Sequence, residues 1–238
     1  MESNSIEWAV ELKDIKKTYR TGSIEVPALR GISLRIAPGE FLAIAGSSGS
    51  GKTTLLNIIG GLERADAGEV LVEGKNLQLL SSGELARLRL RRLGFIFQAY
   101  NLLPVLTALE NAEFTLLLQG MPAQQRKERV QKLFAEIGLA SLEKRRPGEL
   151  SGGQQQRVAV ARAMVTEPAL ILADEPTANL DSVTATALLD VMGQLNRAHG
   201  TTFVYATHDP QVMERARRLV RLHDGQIDSD VVQASQTT

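Results

Sequence analysis

The sequence predicts an α/β fold: a parallel sheet covered by helices, with an antiparallel β portion at the start and a helical block inserted in the core. Three observations predict it. Apolar runs at Phe41–Ala45, Leu170–Ala173 and Phe203–Ala206 do not alternate with polar residues, as in strands buried on both faces. Each run ends in polar residues: Gly46-Ser47-Ser48, Asp174-Glu175 and Thr207-His208. In open α/β sheets ligands lie beyond the carboxyl ends of the strands, so the three polar clusters point to one site. Between Gln98 and Leu150 the pattern turns helical.

Taken in order, residues 8–19 and 26–36 alternate apolar and polar, as in Val10-Glu11-Leu12 and Ile32-Ser33-Leu34-Arg35-Ile36. They read as strands with one solvated face, and Gly22 and Pro27 punctuate their connection. Trp8 reads as a packing residue. The run Phe41–Ala45 feeds a glycine-rich loop and a helix opening Thr54-Leu55-Leu56-Asn57-Ile58-Ile59. Ser81 with Glu84, and Thr107 with Glu110, have capping-box spacing. Residues 122–137 carry Val130, Leu133, Phe134 and Ile137 at helical spacing, with charge on the opposite face. Ser151 can cap a further helix, and Gly152 and Gly153 leave its first amides uncovered. The expected organisation is a single domain over 6–229, a helical subdomain at about 99–155, and a loose polar tail over 230–238.

Composition narrows the function. Hydrophobic content of 43% and charged content of 23% fit a chain that buries a sizeable core. Lys plus Arg and Asp plus Glu are both 27, which argues against a nucleic-acid partner with its usual demand for a basic excess. Cysteine is absent, so there is no disulfide framework and no thiolate metal site. The longest apolar runs, such as Phe41–Ala45 and Ala169–Ala173, fall far below the roughly 20 residues of a spanning helix. Met1-Glu2-Ser3-Asn4-Ser5 lacks the basic and apolar regions of a signal peptide. A soluble or peripheral protein is expected.

The chemistry starts at Gly46-Ser47-Ser48-Gly49-Ser50-Gly51-Lys52-Thr53, which fits the phosphate-loop pattern G-x-x-x-x-G-K-[ST] between an apolar strand and a helix. Glycines let backbone amides wrap phosphates, Lys52 reaches the β- and γ-phosphates, and the Thr53 hydroxyl binds Mg²⁺. Leu170-Ile171-Leu172-Ala173-Asp174-Glu175 is a buried strand ending in two acids. Asp174 suits a magnesium shell, and Glu175 is placed to polarise an attacking water, because phosphoryl transfer depends on positioning and electrostatics. Leu150-Ser151-Gly152-Gly153-Gln154 adds a second glycine-rich helix start, again suited to an anion.

In this order and spacing, the three motifs make the chain resemble an ATP-binding-cassette (ABC) ATPase over about residues 8–228, with a RecA-like P-loop NTPase core. The resemblance implies ATP and Mg²⁺ as cofactors, with residues Gly46 to Thr54 around the nucleotide and Thr53, Gln98 and Asp174 around the metal. It implies that Tyr19 stacks on adenine and that Gln98 contacts magnesium and the attacking water. His208 would contact the γ-phosphate, and Asp181 would lie in a loop crossing a dimer interface. Glu175, His208, Lys52 and Gln98 form the implied catalytic set. By itself Tyr19 reads as a strand aromatic, and Asp181 also reads as a helix N-cap. His199 and His223 read as turn or surface residues, and Lys144-Arg145-Arg146 as a solvated face.

In the family the phosphate loop and the pentapeptide cannot meet within one molecule. The resemblance therefore implies a head-to-tail homodimer in which Ser151, Gly152, Gly153 and Gln154 of one chain close the ATP held by the other. It further implies integral membrane permease subunits as partners and a place on the cytoplasmic face of the inner membrane. Phe97-Gln98-Ala99-Tyr100-Asn101-Leu102-Leu103-Pro104 and Val26-Pro27-Ala28-Leu29-Arg30-Gly31 are similar to the lipoprotein-release and macrolide-export branch, although position 178 is Ala where many relatives have Gly. A regulatory cassette, driving a membrane partner that controls cell-wall hydrolases or senses antimicrobial peptides, uses the same engine. A cassette acting on nucleic acid or ribosomes fits the neutral charge poorly, and a plain P-loop kinase or GTPase does not need Ser151–Gln154.

Overall fold

The computed structural model describes residues 7–22 and 24–233. Strands β1 (Val10–Thr21), β2 (Ile24–Ile36), β4 (Ala67–Val72) and β5 (Lys75–Asn76) form an antiparallel sheet in the order β2-β1-β4-β5. A second, six-stranded sheet holds β3 (Phe41–Ala45), β6 (Leu93–Ile96), β7 (Leu170–Asp174), β8 (Thr202–Thr207), β9 (Arg218–His223) and β10 (Gln226–Val232), in the order β10-β9-β3-β8-β7-β6. All its pairings are parallel except β10 with β9. The three apolar runs are thus adjacent strands, β3-β8-β7, and their polar ends share one edge.

The lack of alternation in those runs has a direct cause. Phe41, Ala43 and Ala45 of β3 pack into one core cluster, beneath the helices, while Leu42 and Ile44 pack into another, toward the antiparallel sheet. The same split divides Phe203 and Tyr205 from Val204 and Ala206 on β8. Every second residue meets a different core, so both sets must be apolar. Each buried Leu, Ile or Phe contributes about 1.5–3 kcal/mol of transfer free energy.

Among the described residues, seven α-helices complete the fold: α1 (Lys52–Ile59), α2 (Ser82–Arg92), α3 (Ala108–Leu118), α4 (Ala123–Glu136), α5 (Gly152–Met164), α6 (Ser182–His199) and α7 (Pro210–Met213). Capping boxes start α2 at Ser81/Glu84, α3 at Thr107/Glu110 and α5 at Ser151/Gln154. Each box satisfies two backbone donors. The Asp181 side chain accepts from Thr184 N and caps α6, which ends at Gly200 in the left-handed conformation (φ 67°). The apolar positions Val130, Leu133 and Phe134 face inward on α4. Trp8 is half-buried, with the Arg35 guanidinium 5.6 Å from its ring centroid. Lys144, Arg145 and Arg146 are exposed. His199 closes α6 and bonds Glu136 of α4 at 3.0 Å.

Two segments differ from the sequence expectation. The alternation read over 8–19 and 26–36 extends into longer strands that meet at Gly22, and β1 is irregular where Asp14 takes φ 50°. The expected loose tail is partly ordered: Ser229–Val232 pairs with Arg218–Arg221. The Arg218 guanidinium holds Asp230 at 2.7 and 2.8 Å and also bonds Glu40. A polar segment therefore becomes an edge strand through backbone pairing and a bidentate ion pair, which no apolar pattern announces. Residues 234–238, and Ile6 at the expected domain start, lie outside the described residues.

Candidate functional site

The loop after β3 leads into α1 through Gly51 at φ 103°, and no side chain caps that helix. The first amides of α1 therefore remain free donors beside the loop. Two positions show why glycine is required. A Cβ on Gly46 would come within 2.5 Å of both Leu222 O and Ser50 Oγ, and one on Gly51 within 2.6 Å of Ala28 O. The loop is thus packed tightly from behind.

Lys52 is buried within this loop. Its ammonium donates to Gly46 O at 2.7 Å and Ser47 O at 3.0 Å, and lies 3.7 Å from Glu175 Oε1. Thr53 Oγ1 donates to Asp174 at 2.9 Å, across from α1 to the end of β7. Burial, the largest influence, pushes the Asp174 carboxyl up from its ordinary range, while the Thr53 hydrogen bond opposes it. Glu175 then takes φ 47°, a conformation rare outside glycine, and Oε1 bonds His208 Nδ1 at 2.9 Å. Such outliers concentrate where surrounding structure forces them, often at functional sites. Lys52, Thr53, Asp174, Glu175 and His208 are therefore brought together at the β3, β7 and β8 ends.

Tyr19 reaches the same region from the other sheet, with its hydroxyl 3.3 Å from Thr54 Oγ1. Gln98 is exposed just beyond β6, and its carbonyl accepts from Asn179 Nδ2 at 2.9 Å. Asp181 spends its carboxylate on Thr184 N and Oγ1, at 2.9 and 2.6 Å. Ser151 and Gln154 bond each other. The nearest neighbours of an added Cβ at Gly152 and Gly153 are Tyr100, Leu180 and Thr184. Among the described residues, no hydrogen bond joins Ser151–Gln154 to the phosphate loop.

Sequence reasoning missed the polar links made by α5. Gln156, fully buried on α5, donates to Pro176 O at 2.7 Å and Phe97 O at 3.4 Å. It ties the helix begun by Ser151 to the turns after β7 and β6. Arg162 on the same helix donates to Tyr100 O at 2.9 Å and also to Asn101 O. The available signal was a polar residue at an inward helical position.

The residues suit a magnesium nucleotide. Thr53 and Asp174 offer two hard oxygen donors side by side, and Mg²⁺ is usually bound by one or two protein oxygens plus substrate phosphates and water. Ser50 Oγ is buried within the loop without a hydrogen-bond partner. No group of three or more His, Asp or Glu residues among those described could form an all-protein metal cage.

A phosphate loop and an acid-ended strand alone fit many nucleotide enzymes. With a second, serine-capped glycine segment opening a buried helix, the class becomes that of the ATP-binding-cassette ATPases. The chain belongs to the ABC transporter family, which it matches over residues 29–178. It is 46% identical, over 92% of its length and 93% of the relative's, to an uncharacterized ABC transporter ATP-binding protein of Thermotoga maritima. It is 48% identical, over 93% of its length, to the macrolide export ATP-binding/permease protein MacB of Syntrophobacter fumaroxidans, and spans 31% of that protein. The chain thus spans about a third of the length of the MacB relatives it matches. Among solved structures, the ATP-binding cassette MJ0796, in a dimeric post-hydrolysis state bound to ADP and Pi, superposes with a TM-score of 0.87 at 40% identity, covering 95% of this chain and 99% of that one.

Proposed function

We propose that this chain is the ATP-hydrolysing subunit of a transporter of the lipoprotein-release or macrolide-export type, working as a head-to-tail homodimer beneath separate membrane subunits. The observation that carries the reading is the convergence of Lys52, Thr53, Asp174, Glu175 and His208 on one site, while Ser151–Gln154 opens a different helix. MJ0796, its 40% identical structural neighbour, is a dimer holding the products of hydrolysis.

In this reading Lys52 and the loop amides bind the phosphates, and Tyr19 takes the base. Thr53, Asp174 and Gln98 hold magnesium, which when bound neutralises charge developing on the phosphates. Glu175 orients the attacking water and accepts its proton. His208, hydrogen-bonded to Glu175, keeps that carboxylate aimed and reaches toward the terminal phosphate. Ser151, Gly152, Gly153 and Gln154 of the second copy close the site, with Asp181 at the interface, so catalysis waits on assembly.

Support for a membrane partner comes from a surface groove lined by Leu62, Leu90, Phe95, Phe97, Arg89 and Arg162. It lies beside the turn that carries Gln98, so an occupant there would feel the state of the site. No helix among the described residues is long and apolar enough to cross a membrane. The groove fits a seat for another chain's segment, and the same reading puts the chain on the cytoplasmic face of the inner membrane.

The test is MgATP hydrolysis against protein concentration. The rate should rise faster than linearly, because only dimers turn over. Strict proportionality down to the lowest measurable concentration would contradict the shared site.

A further inference from the structure

We propose that Glu63 is a positioning residue that fixes the Tyr19 ring as a one-faced platform for the purine base. The proposal rests on the reading of Tyr19 as the base-stacking residue. Tyr19 Oη donates to Glu63 Oε2 at 2.6 Å. Glu63 Oε1 is in turn paired with Lys17 Nζ at 3.2 Å. Lys17 also bonds Asp66 Oδ1 at 3.2 Å and Arg64 O at 2.9 Å, and Asp66 Oδ2 accepts from Thr18 N at 2.7 Å.

This cluster does two things to the ring. Lys17 and Tyr19 are two residues apart on β1 and so share a side of the strand. Lys17 Nζ lies over the ring, 5.6 Å from its centroid. One face is therefore covered by a cation; Tyr19 keeps 39% of its surface exposed, and in this reading the base takes the other face. The Glu63 carboxylate then pins the far end of the ring. Rotation about the last side-chain torsion of an aromatic is otherwise soft, and a pre-ordered platform avoids that ordering cost on binding. Burial pushes the Tyr19 phenol above its ordinary range, with Glu63 acting in the same direction, so the hydroxyl stays a neutral donor.

The position of Glu63 also sets the distance from base to phosphates. Leu62 N and Glu63 N both donate to Asn57 O, at 2.9 and 3.2 Å, in the last turn of α1. The helix whose first residue is Lys52 thus holds Glu63 at its other end. Through Glu63, a tyrosine from the separate antiparallel sheet is referenced to the helix that carries the phosphate loop.

Calorimetric titration with MgATP and with magnesium tripolyphosphate, which has no base, tests this. Glu63→Ala should weaken MgATP binding about five- to tenfold and leave tripolyphosphate unchanged. Glu63→Gln, which keeps an acceptor, should restore most of the loss. In a Tyr19→Phe background Glu63→Ala should have no further effect. Equal losses for both ligands, no loss for either, or additive losses in the Phe background would overturn the proposal. Tyr19→Ala reads the platform separately and should cost about tenfold or more in MgATP affinity. If it costs nothing, the platform reading itself fails. If it does cost affinity while Glu63→Ala does not, only the positioning role fails. Should Glu63→Ala not fold, Tyr19→Phe carries the same contrast between ligands, with a loss confined to MgATP expected and an equal effect on both ligands contradictory.

Discussion

Two helix starts in this chain, those of α1 and α5, are both glycine-rich, yet they are built differently. The α1 start has no side-chain cap. Around it converge a buried ammonium, a hydroxyl, two carboxylates and an imidazole from three strand ends. The α5 start is closed by the Ser151/Gln154 box and offers only uncharged groups. An exposed helix N-terminus favours an anion by about 0.3–1 kcal/mol, too little to hold a phosphate alone. Charge-assisted hydrogen bonds are worth about 1.5–3 kcal/mol each. The α1 end can therefore bind by itself, whereas the α5 end can only complete a site built elsewhere. This asymmetry gives a physical reason for two chains to be needed.

The comparison breaks hardest at the α1 side. Glu175→Gln should lower turnover about 10²- to 10⁴-fold, as expected for a general base, while ATP binding persists; a steady-state phosphate-release assay measures it, and near-normal turnover would remove Glu175 from that role. Lys52→Ala should weaken ATP binding or turnover about 10- to 100-fold, since it deletes a buried charge facing the phosphates; calorimetric affinity and kcat that both match wild type would count against the loop as the phosphate seat.

Changes behind the α5 start that leave Ser151–Gln154 intact should be smaller and structural. Gln156→Leu leaves Pro176 O without its buried donor and should cost about 1–2 kcal/mol in urea unfolding. The smallest effect concerns Asp181. Its hydrogen bonds to the Thr184 hydroxyl and amide hold its carboxyl below the ordinary range. A depressed folded-state pKa contributes stability above the unfolded value, and that contribution disappears as pH falls through the folded one. The difference in melting temperature between wild type and Asp181→Asn should therefore be present at neutral pH and shrink in acid. A difference independent of pH would show that the charge plays no part.

Local patterns made much of this molecule legible. The strands β3, β7 and β8 were visible as non-alternating runs because both faces are buried, the caps at Ser81 and Thr107 because a box is written within four residues, and the cap at Ser151 because a serine precedes a glycine-rich helix start. The phosphate loop and its acids came from spacing and context. What stayed hidden is long-range or tied to irregular backbone. Gln156 reaches Pro176 and Phe97, Glu63 reaches Tyr19, and Asn111 of α3 ties down the preceding loop with bonds to Leu103, Leu106 and Thr107. Such polar contacts, to a distant side chain or to irregular backbone, obey no period. The pairing of Ser229–Val232 was hidden for a related reason: an edge strand held by Arg218 and backbone bonds looks like any polar tail.

The central claim, that the α5 start completes another chain's site, is tested most directly by ATP-driven dimerisation in the Glu175→Gln background. Size-exclusion chromatography with light scattering should show a dimer with ATP and a monomer without it. Adding Ser151→Arg places a long cation where the second copy must close. The account predicts that this double variant binds ATP with unchanged affinity and stays monomeric. A double variant that still dimerises with ATP, or that loses ATP affinity as a monomer, would contradict it.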